Sequence, residues 1–181
     1  MIDNHNNDSS PPAEINDALK SDSPPQNTEI ERKFLVDTIP SQQINRSKRV
    51  KQGYMVHDER QVVRVRSIDS DHFLTIKSNT RGLSRLEFEY QIPKEDAVDM
   101  FKHLCGPSII EKTRHYIETH NHTWEVDEFH GRNEGLIVAE IELESEDEQF
   151  DIPEWVGKEV SDDPRYYNMN LMANPYENWK K

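Results

Sequence analysis

The sequence predicts a mainly β domain of the α+β class, built from antiparallel strands with a few helices. Three observations predict it. From Thr28 onward, apolar and polar residues alternate with period two through eight successive segments, the pattern of strands with one buried face. Turn-forming residues separate several segments, at Asp69-Ser70-Asp71, at 79–82 and at 131–135. One clear helical pattern interrupts the series.

Taken in order, residues 1–28 are an expected disordered leader. They carry Asn and Ser runs and four of the ten prolines, and too few aliphatic residues to offset the entropy of ordering. A helix over 12–20 would be marginal alone. The expected strands are 29–36, 50–57, 61–68, 72–78, 84–92, 109–119, 122–130 and 136–144. Residues 41–47 suggest a short helical turn. Residues 94–105 place Ala97, Phe101 and Leu104 on one helical face and stop at Gly106-Pro107. Ser161-Asp162-Asp163-Pro164 reads as an N-cap with proline in the first turn, opening a C-terminal helix that ends by Asn174-Pro175. Residues 29–181 therefore form one domain.

Composition narrows the function. The net charge is −13, with 33% hydrophobic residues. No run approaches the ~18 apolar residues of a spanning helix, and the polar, acidic start lacks a signal-peptide core, so no membrane partner is expected. A single cysteine, Cys105, excludes an intramolecular disulfide framework and suits the cytoplasm. Charge is segregated: residues 29–114 hold sixteen Lys/Arg against thirteen Asp/Glu, while residues 115–181 hold five against seventeen. A pI near 5.0 is far from a nucleic-acid footprint.

The polar face of the strands is mostly ionised. Glu29, Glu31 and Lys33 share a face, as do Arg64 and Arg66; Thr75 and Lys77; Arg85, Glu87 and Glu89; Lys112 and Arg114; Glu125 and Asp127; and Glu140, Glu142 and Glu144. The opposite face reads Ile30, Val63, Val65, Leu74, Ile76, Leu86, Phe88, Tyr90, Trp124, Val126, Ala139, Ile141 and Leu143, the expected core. Two architectures fit: a sheet with one solvated charged face, or a closed barrel with the charges inside, where about eight strands enclose room for one small ligand. Enclosed charges need opposite charges, a metal or a ligand. The cations ask for a polyanion with phosphate oxygens, and the carboxylate pairs for hard divalent cations.

Glu29-Ile-Glu31-Arg-Lys33 is a Glu-x-Glu-x-Lys motif. It is followed in order by Arg64-x-Arg66, Lys77, Arg85-x-Glu87-x-Glu89, Lys112-x-Arg114, Asp127 and Glu140-x-Glu142. The series resembles the CYTH superfamily, the triphosphate tunnel metalloenzymes, over roughly residues 29–176, and within it the short bacterial inorganic tripolyphosphatases.

The resemblance implies a closed eight-stranded antiparallel β-barrel with a few outer helices and a C-terminal helix, binding a small-molecule triphosphate with Mg²⁺ or Mn²⁺. Lys33, Arg64, Arg66, Lys77, Arg85, Lys112 and Arg114 would cradle phosphate. Glu29, Glu31, Glu140 and Glu142 would hold metal, and of these Glu29 and Glu31 would serve catalysis together with Lys33 and Tyr54. Glu87, Glu89 and Asp127 would be ligands of a second metal or partners of the cations. Tyr54, in Gln52-Gly-Tyr54, would work with Lys33. Lys33 should have a lowered pKa among so many cations unless the glutamates cancel the effect, which leaves it either a proton donor or an electrostatic clamp.

The implied activity is divalent-metal-dependent hydrolysis of tripolyphosphate to pyrophosphate and orthophosphate. The alternatives are a class IV-type adenylate cyclase, a thiamine or nucleoside triphosphatase, or a non-catalytic polyphosphate binder. The protein would be a monomer or a homodimer. His120-Asn-His122 reads as a hairpin turn, residues 144–151 as a solvated loop or a guard of the tunnel mouth, and Trp155 and Trp179 as packing on the outside of the barrel.

Overall fold

The computed structural model describes residues 27–58, 60–78, 83–107 and 109–179. Residues 1–26, with the expected leader and its 12–20 helix, lie outside them, as does the expected turn at 79–82. Eight strands, β1 (Thr28–Leu35), β2 (Arg46–His57), β3 (Gln61–Ile68), β4 (Asp71–Ser78), β5 (Ser84–Gln91), β6 (Ile110–Thr119), β7 (His122–Phe129) and β8 (Ile137–Glu142), close into an antiparallel barrel in the order β1-β5-β4-β3-β2-β6-β7-β8. Closure removes the free sheet edges. Of the two architectures, the closed one is present.

Closure runs through β1. Its first residues pair with β5, Glu29 opposite Arg85, and its last five pair with β8, Lys33 opposite Glu140. The segment after β8 covers the remaining edge of β1: Leu35 N–H donates to the Lys158 carbonyl and Val160 N–H to that of Lys33, each at 2.8 Å. The β6–β7 hairpin turns on His120 and Asn121, with φ of 50° and 64°, values that suit the primed turns of tight hairpins.

Two apolar clusters hold the barrel. Outside β7, β8 and β1, Phe34, Trp124, Val126 and Ile141 pack with Phe150 and Trp155. At one end, where the inner face turns apolar, Tyr54, Phe129 and Val138 pack with Leu171, Met169 and Met172 of the C-terminal segment, which closes that end.

Four expectations are corrected. The turn at 41–47 is only a 3₁₀ turn, Ser41–Gln43, because β2 starts at Arg46 to pair with β6 as far as Tyr116. The helix α1 (Lys94–His103) ends earlier than expected, leaving Leu104 59% exposed, while Ala97 is buried as expected. The single C-terminal helix is instead a 3₁₀ turn, Pro164–Tyr166, followed by α2 (Asn168–Ala173), because Tyr167 is extended and its hydroxyl donates to the Ser161 carbonyl at 3.0 Å. Phe88 and Tyr90 are 37% and 55% exposed: α1 packs on β3 and β4, and no described element covers the outer face of β5 there.

Candidate active site

Residues directly opposed across an antiparallel ladder point to the same side, so the register decides where the ionised residues go. Lys33 opposes Glu140 and Glu31 opposes Glu142; Arg64 opposes Tyr54 and Arg66 opposes Gln52; Lys77 opposes Glu87; Arg114 opposes Asp127; Glu125 opposes Glu140. All of them face inward. They surround a cavity of about 910 Å³ whose walls include Glu29, Glu31, Lys33, Tyr54, Arg64, Arg66, Lys77, Arg85, Glu87, Glu89, Arg114, Glu140 and Glu142.

The charges satisfy one another. Lys33 Nζ lies 2.6 Å from Glu140 and 2.8 Å from Glu31. Arg85 bridges Glu29 and Glu31, each at 2.6 Å. Lys77 bridges Glu29 and Glu87 at 2.8 and 2.9 Å. Arg66 meets Glu89 at 2.5 Å, and Thr75 donates to the same carboxylate at 2.8 Å. Arg114 grips Asp127 through two N–H groups at 2.7 and 2.6 Å, and Glu140 at 2.7 Å; it also meets Glu125.

Asp127, fully buried, is shared between Arg114 and Lys112. Asp127 and Lys112 are therefore brought to the cluster but lie behind the cavity wall. Glu87, Glu89 and Asp127 stand here as partners of the cations. In the cavity wall, the buried Nε–H groups of Arg64 and Arg66 have no acceptor among the described residues.

Burial and neighbours tune these groups in opposite directions. Burial lowers the Lys33 pKa, but Glu140 and Glu31 outweigh it, and the net shift is strongly upward. The glutamates thus more than cancel the lowering expected from neighbouring cations. Burial raises and Lys33 lowers the Glu140 carboxyl, with the cations winning. Burial, then Arg114, brings Lys112 down to about 8 against the pull of Asp127. Burial, then Glu29, Glu125, Glu87 and Glu31, push Glu142 up.

Glu29 and Glu31 of β1 and Glu140 and Glu142 of β8 line the cavity from adjacent strands; with Glu29, Glu31 and Glu140 drawn to Lys33 and Arg85, no three acids or histidines among the described residues stand close enough together to hold a metal ion. An all-oxygen donor set with Glu142 crowded by its acidic neighbours fits a hard divalent cation.

Sequence reasoning did not assign Arg46 and Lys48. They oppose Tyr116 and Arg114 and so share the inward face. Extending the alternation of Val50, Gln52 and Tyr54 upstream would have placed them. Ser161, Tyr167, Asn168 and Met169 also line the cavity, and Ser161 Oγ accepts from the Lys33 N–H at 2.9 Å; no local pattern announces a contact between residues so distant in the chain. At the mouth, His122 donates to Glu148 at 2.7 Å, and Glu144 and Glu148 join the lining, so the acidic loop stands beside the opening. Trp155 packs on Trp124 at 5.6 Å between ring centroids, outside the barrel as expected.

The CYTH domain model matches residues 27–167. The chain belongs to the CYTH family. It is 45% identical over 153 residues to a protein of Acetivibrio thermocellus named inorganic triphosphatase, covering 84% of this chain and 98% of that one. It is 36% identical over 148 residues to a protein of the same name from Nitrosomonas europaea, covering 80% and 96%. Among solved structures, the crystal structure of an inorganic triphosphatase superposes with a TM-score of 0.59 at 33% identity, covering 80% of this chain and 93% of that one. In this CYTH chain the motif residues of the barrel all point inward.

Proposed function

We propose that this CYTH protein is a divalent-metal-dependent triphosphatase that hydrolyses inorganic tripolyphosphate to pyrophosphate and orthophosphate. The observation that carries this reading is the convergence of Lys33, Arg64, Arg66, Lys77, Arg85 and Arg114 on one cavity that Glu29, Glu31, Glu140 and Glu142 also line. The names of the two relatives support the substrate. Glu29, Glu31, Glu140 and Glu142 would hold Mg²⁺ or Mn²⁺, which when bound supplies Lewis-acid polarisation of phosphoryl oxygens and activation of water.

The chain's own residues bind and orient. A triphosphate would take Lys33, Arg85 and Arg114 away from their carboxylates, leaving Glu29, Glu31 and Glu140 as residues that would hold a divalent cation. The unmatched Nε–H groups of Arg64 and Arg66 add donors for phosphate oxygens. Asp127, itself paired with Lys112, holds the Arg114 guanidinium in place. Lys33, kept protonated by Glu140 and Glu31, acts as a clamp on phosphate charge. Positioning and electrostatic stabilisation are the main terms in phosphoryl transfer. Residues 29–181 form the functional domain, and the lone cysteine fits a cytoplasmic setting.

The test is to incubate purified protein with tripolyphosphate, ATP or thiamine triphosphate, each with Mg²⁺ or Mn²⁺. Orthophosphate release, fastest from tripolyphosphate and absent in chelator, is expected. Cyclic AMP with pyrophosphate from ATP would replace the reading by cyclisation, and binding without turnover would replace it by a polyphosphate module. Glu29→Ala should abolish release while leaving the protein folded; wild-type turnover would remove Glu29 from the metal set.

A further inference from the structure

Gln52 is an uncharged amide, 1% exposed, on the inward face of a barrel whose cavity is walled largely by ionised groups. It stands opposite Arg66 and two residues before Tyr54 on β2, so both side chains point inward. Its Nε2 donates to the Tyr54 hydroxyl oxygen at 2.8 Å. Tyr54 is 6% exposed and forms part of the cavity wall.

A phenol oxygen can accept on one side while its single proton leaves on the other. The cations Arg64, Arg85 and Lys33 face the hydroxyl from the cavity wall, Arg64 within hydrogen-bonding reach; with Gln52 Nε2 and these donors on its accepting side, the oxygen has only its proton left to offer an incoming phosphate. We propose that Gln52 is a positioning residue that fixes the Tyr54 hydroxyl as a hydrogen-bond donor to a phosphate oxygen of the substrate. The proposal rests on the triphosphatase reading for its consequence, though the bond itself does not depend on it. An amide suits the task because it is neutral: a cation would join the cationic wall, and a carboxylate would accept the tyrosine proton and turn the hydroxyl away from the cavity.

Two measurements test this, using Gln52→Glu, Tyr54→Phe and the double variant of the full chain. In the first, kcat and KM for tripolyphosphate are compared. Loss of a hydrogen bond to a charged oxygen corresponds to roughly 10–100-fold. Each single variant should lower kcat by about that factor, and the double variant should be no slower than Tyr54→Phe. Equal further loss when Gln52→Glu is added to Tyr54→Phe would overturn the proposal, because Gln52 would then act independently of Tyr54. So would an unchanged kcat in Gln52→Glu.

The second measurement needs no turnover. The phenol titration of Tyr54, read as the ultraviolet difference between each protein and its Tyr54→Phe counterpart, should shift to higher pH in Gln52→Glu, since an N–H donor favours the phenolate and a carboxylate opposes it. An unshifted titration overturns the bond. If wild-type protein releases no phosphate while this shift is present, the triphosphatase reading fails and the Gln52–Tyr54 bond stands.

Discussion

Lys33 and Glu140 face each other across the β1–β8 ladder, with Lys33 Nζ 2.6 Å from Glu140 Oε1. The pair is buried, and its lysine backbone is tied to the segment after β8 through Ser161 and Val160. The motif lysine is thereby fixed at both ends, by a carboxylate at its tip and by an added strand-like segment along its main chain. A charge held this way stands on the cavity wall with its main chain fixed, so that only its tip exchanges carboxylate partners for an incoming phosphate.

The first prediction follows from the sign of the Lys33 shift. Its pKa is raised above the ordinary 10.5, so the charge is complete at any pH below 10.5 and is lost only as pH rises through the still higher folded-state value. A clamp of this kind contributes no limb to the pH–rate profile between pH 6 and 9. Lys33→Ala should lower kcat by roughly 10²–10³-fold, in line with removal of one preorganised donor, and Lys33→Arg should retain more. An alkaline limb below pH 9 that disappears in Lys33→Arg would make Lys33 a proton donor instead.

The second prediction concerns Arg66, whose Nη2 is committed to Glu89 while its Nε–H has no acceptor among the described residues. Arg66→Lys keeps the charge but removes the planar fork. The KM for tripolyphosphate should rise roughly tenfold, the low end for a charge-assisted bond, with a smaller change in kcat. A KM equal to wild type would place Arg66 outside substrate contact.

The third prediction is local to the packing beneath Tyr54. A Cβ on Gly53 would lie 2.7 Å from Cys105 Sγ and 3.1 Å from Ile109 Cδ1; the strand here admits no side chain because the segment that follows α1 presses on it. Gly53→Ala should destabilise by about 1–3 kcal/mol, as overpacking does, and Cys105→Ala in the same chain should recover part of the loss. Urea denaturation of the single and double variants measures both; no recovery would locate the strain at Ile109.

Much of this site was legible because a strand's period is two. Lys33, Arg64, Arg66, Arg85, Glu140 and Glu142 could be sorted to one face from spacing alone, and the family motif supplied the closure that spacing left open. The parts that stayed hidden depend on neighbours distant in the chain. Arg46 fell in the expected turn at 41–47 and Lys48 in no element, although β2 continues the alternation of Val50, Gln52 and Tyr54 upstream to pair with β6. Phe88 and Tyr90 read as core because alternation reveals a face but not what covers it. Gln52 and Ser161 carry no charge to flag them, and their roles come from contacts that only the closed barrel makes.

The last prediction concerns the tunnel mouth. His122 donates to Glu148 at 2.7 Å, and this bond raises its pKa above the ordinary 6.5. A raised histidine keeps the link intact below 6.5 and loses it as pH climbs through the higher folded-state value. Below that value the link ties the end of the β6–β7 hairpin to the acidic loop. Above it His122 is neutral, and the loop carries Glu144 and Glu148 at the cavity opening without an opposing charge. In Glu148→Gln the His122 titration, followed by proton NMR of the imidazole, should move back toward 6.5, and entry of an anionic substrate should gain, seen as a lower KM for tripolyphosphate near pH 8 and little change in kcat. An imidazole that titrates identically in both proteins would mean that the hydrogen bond does not hold the loop in solution.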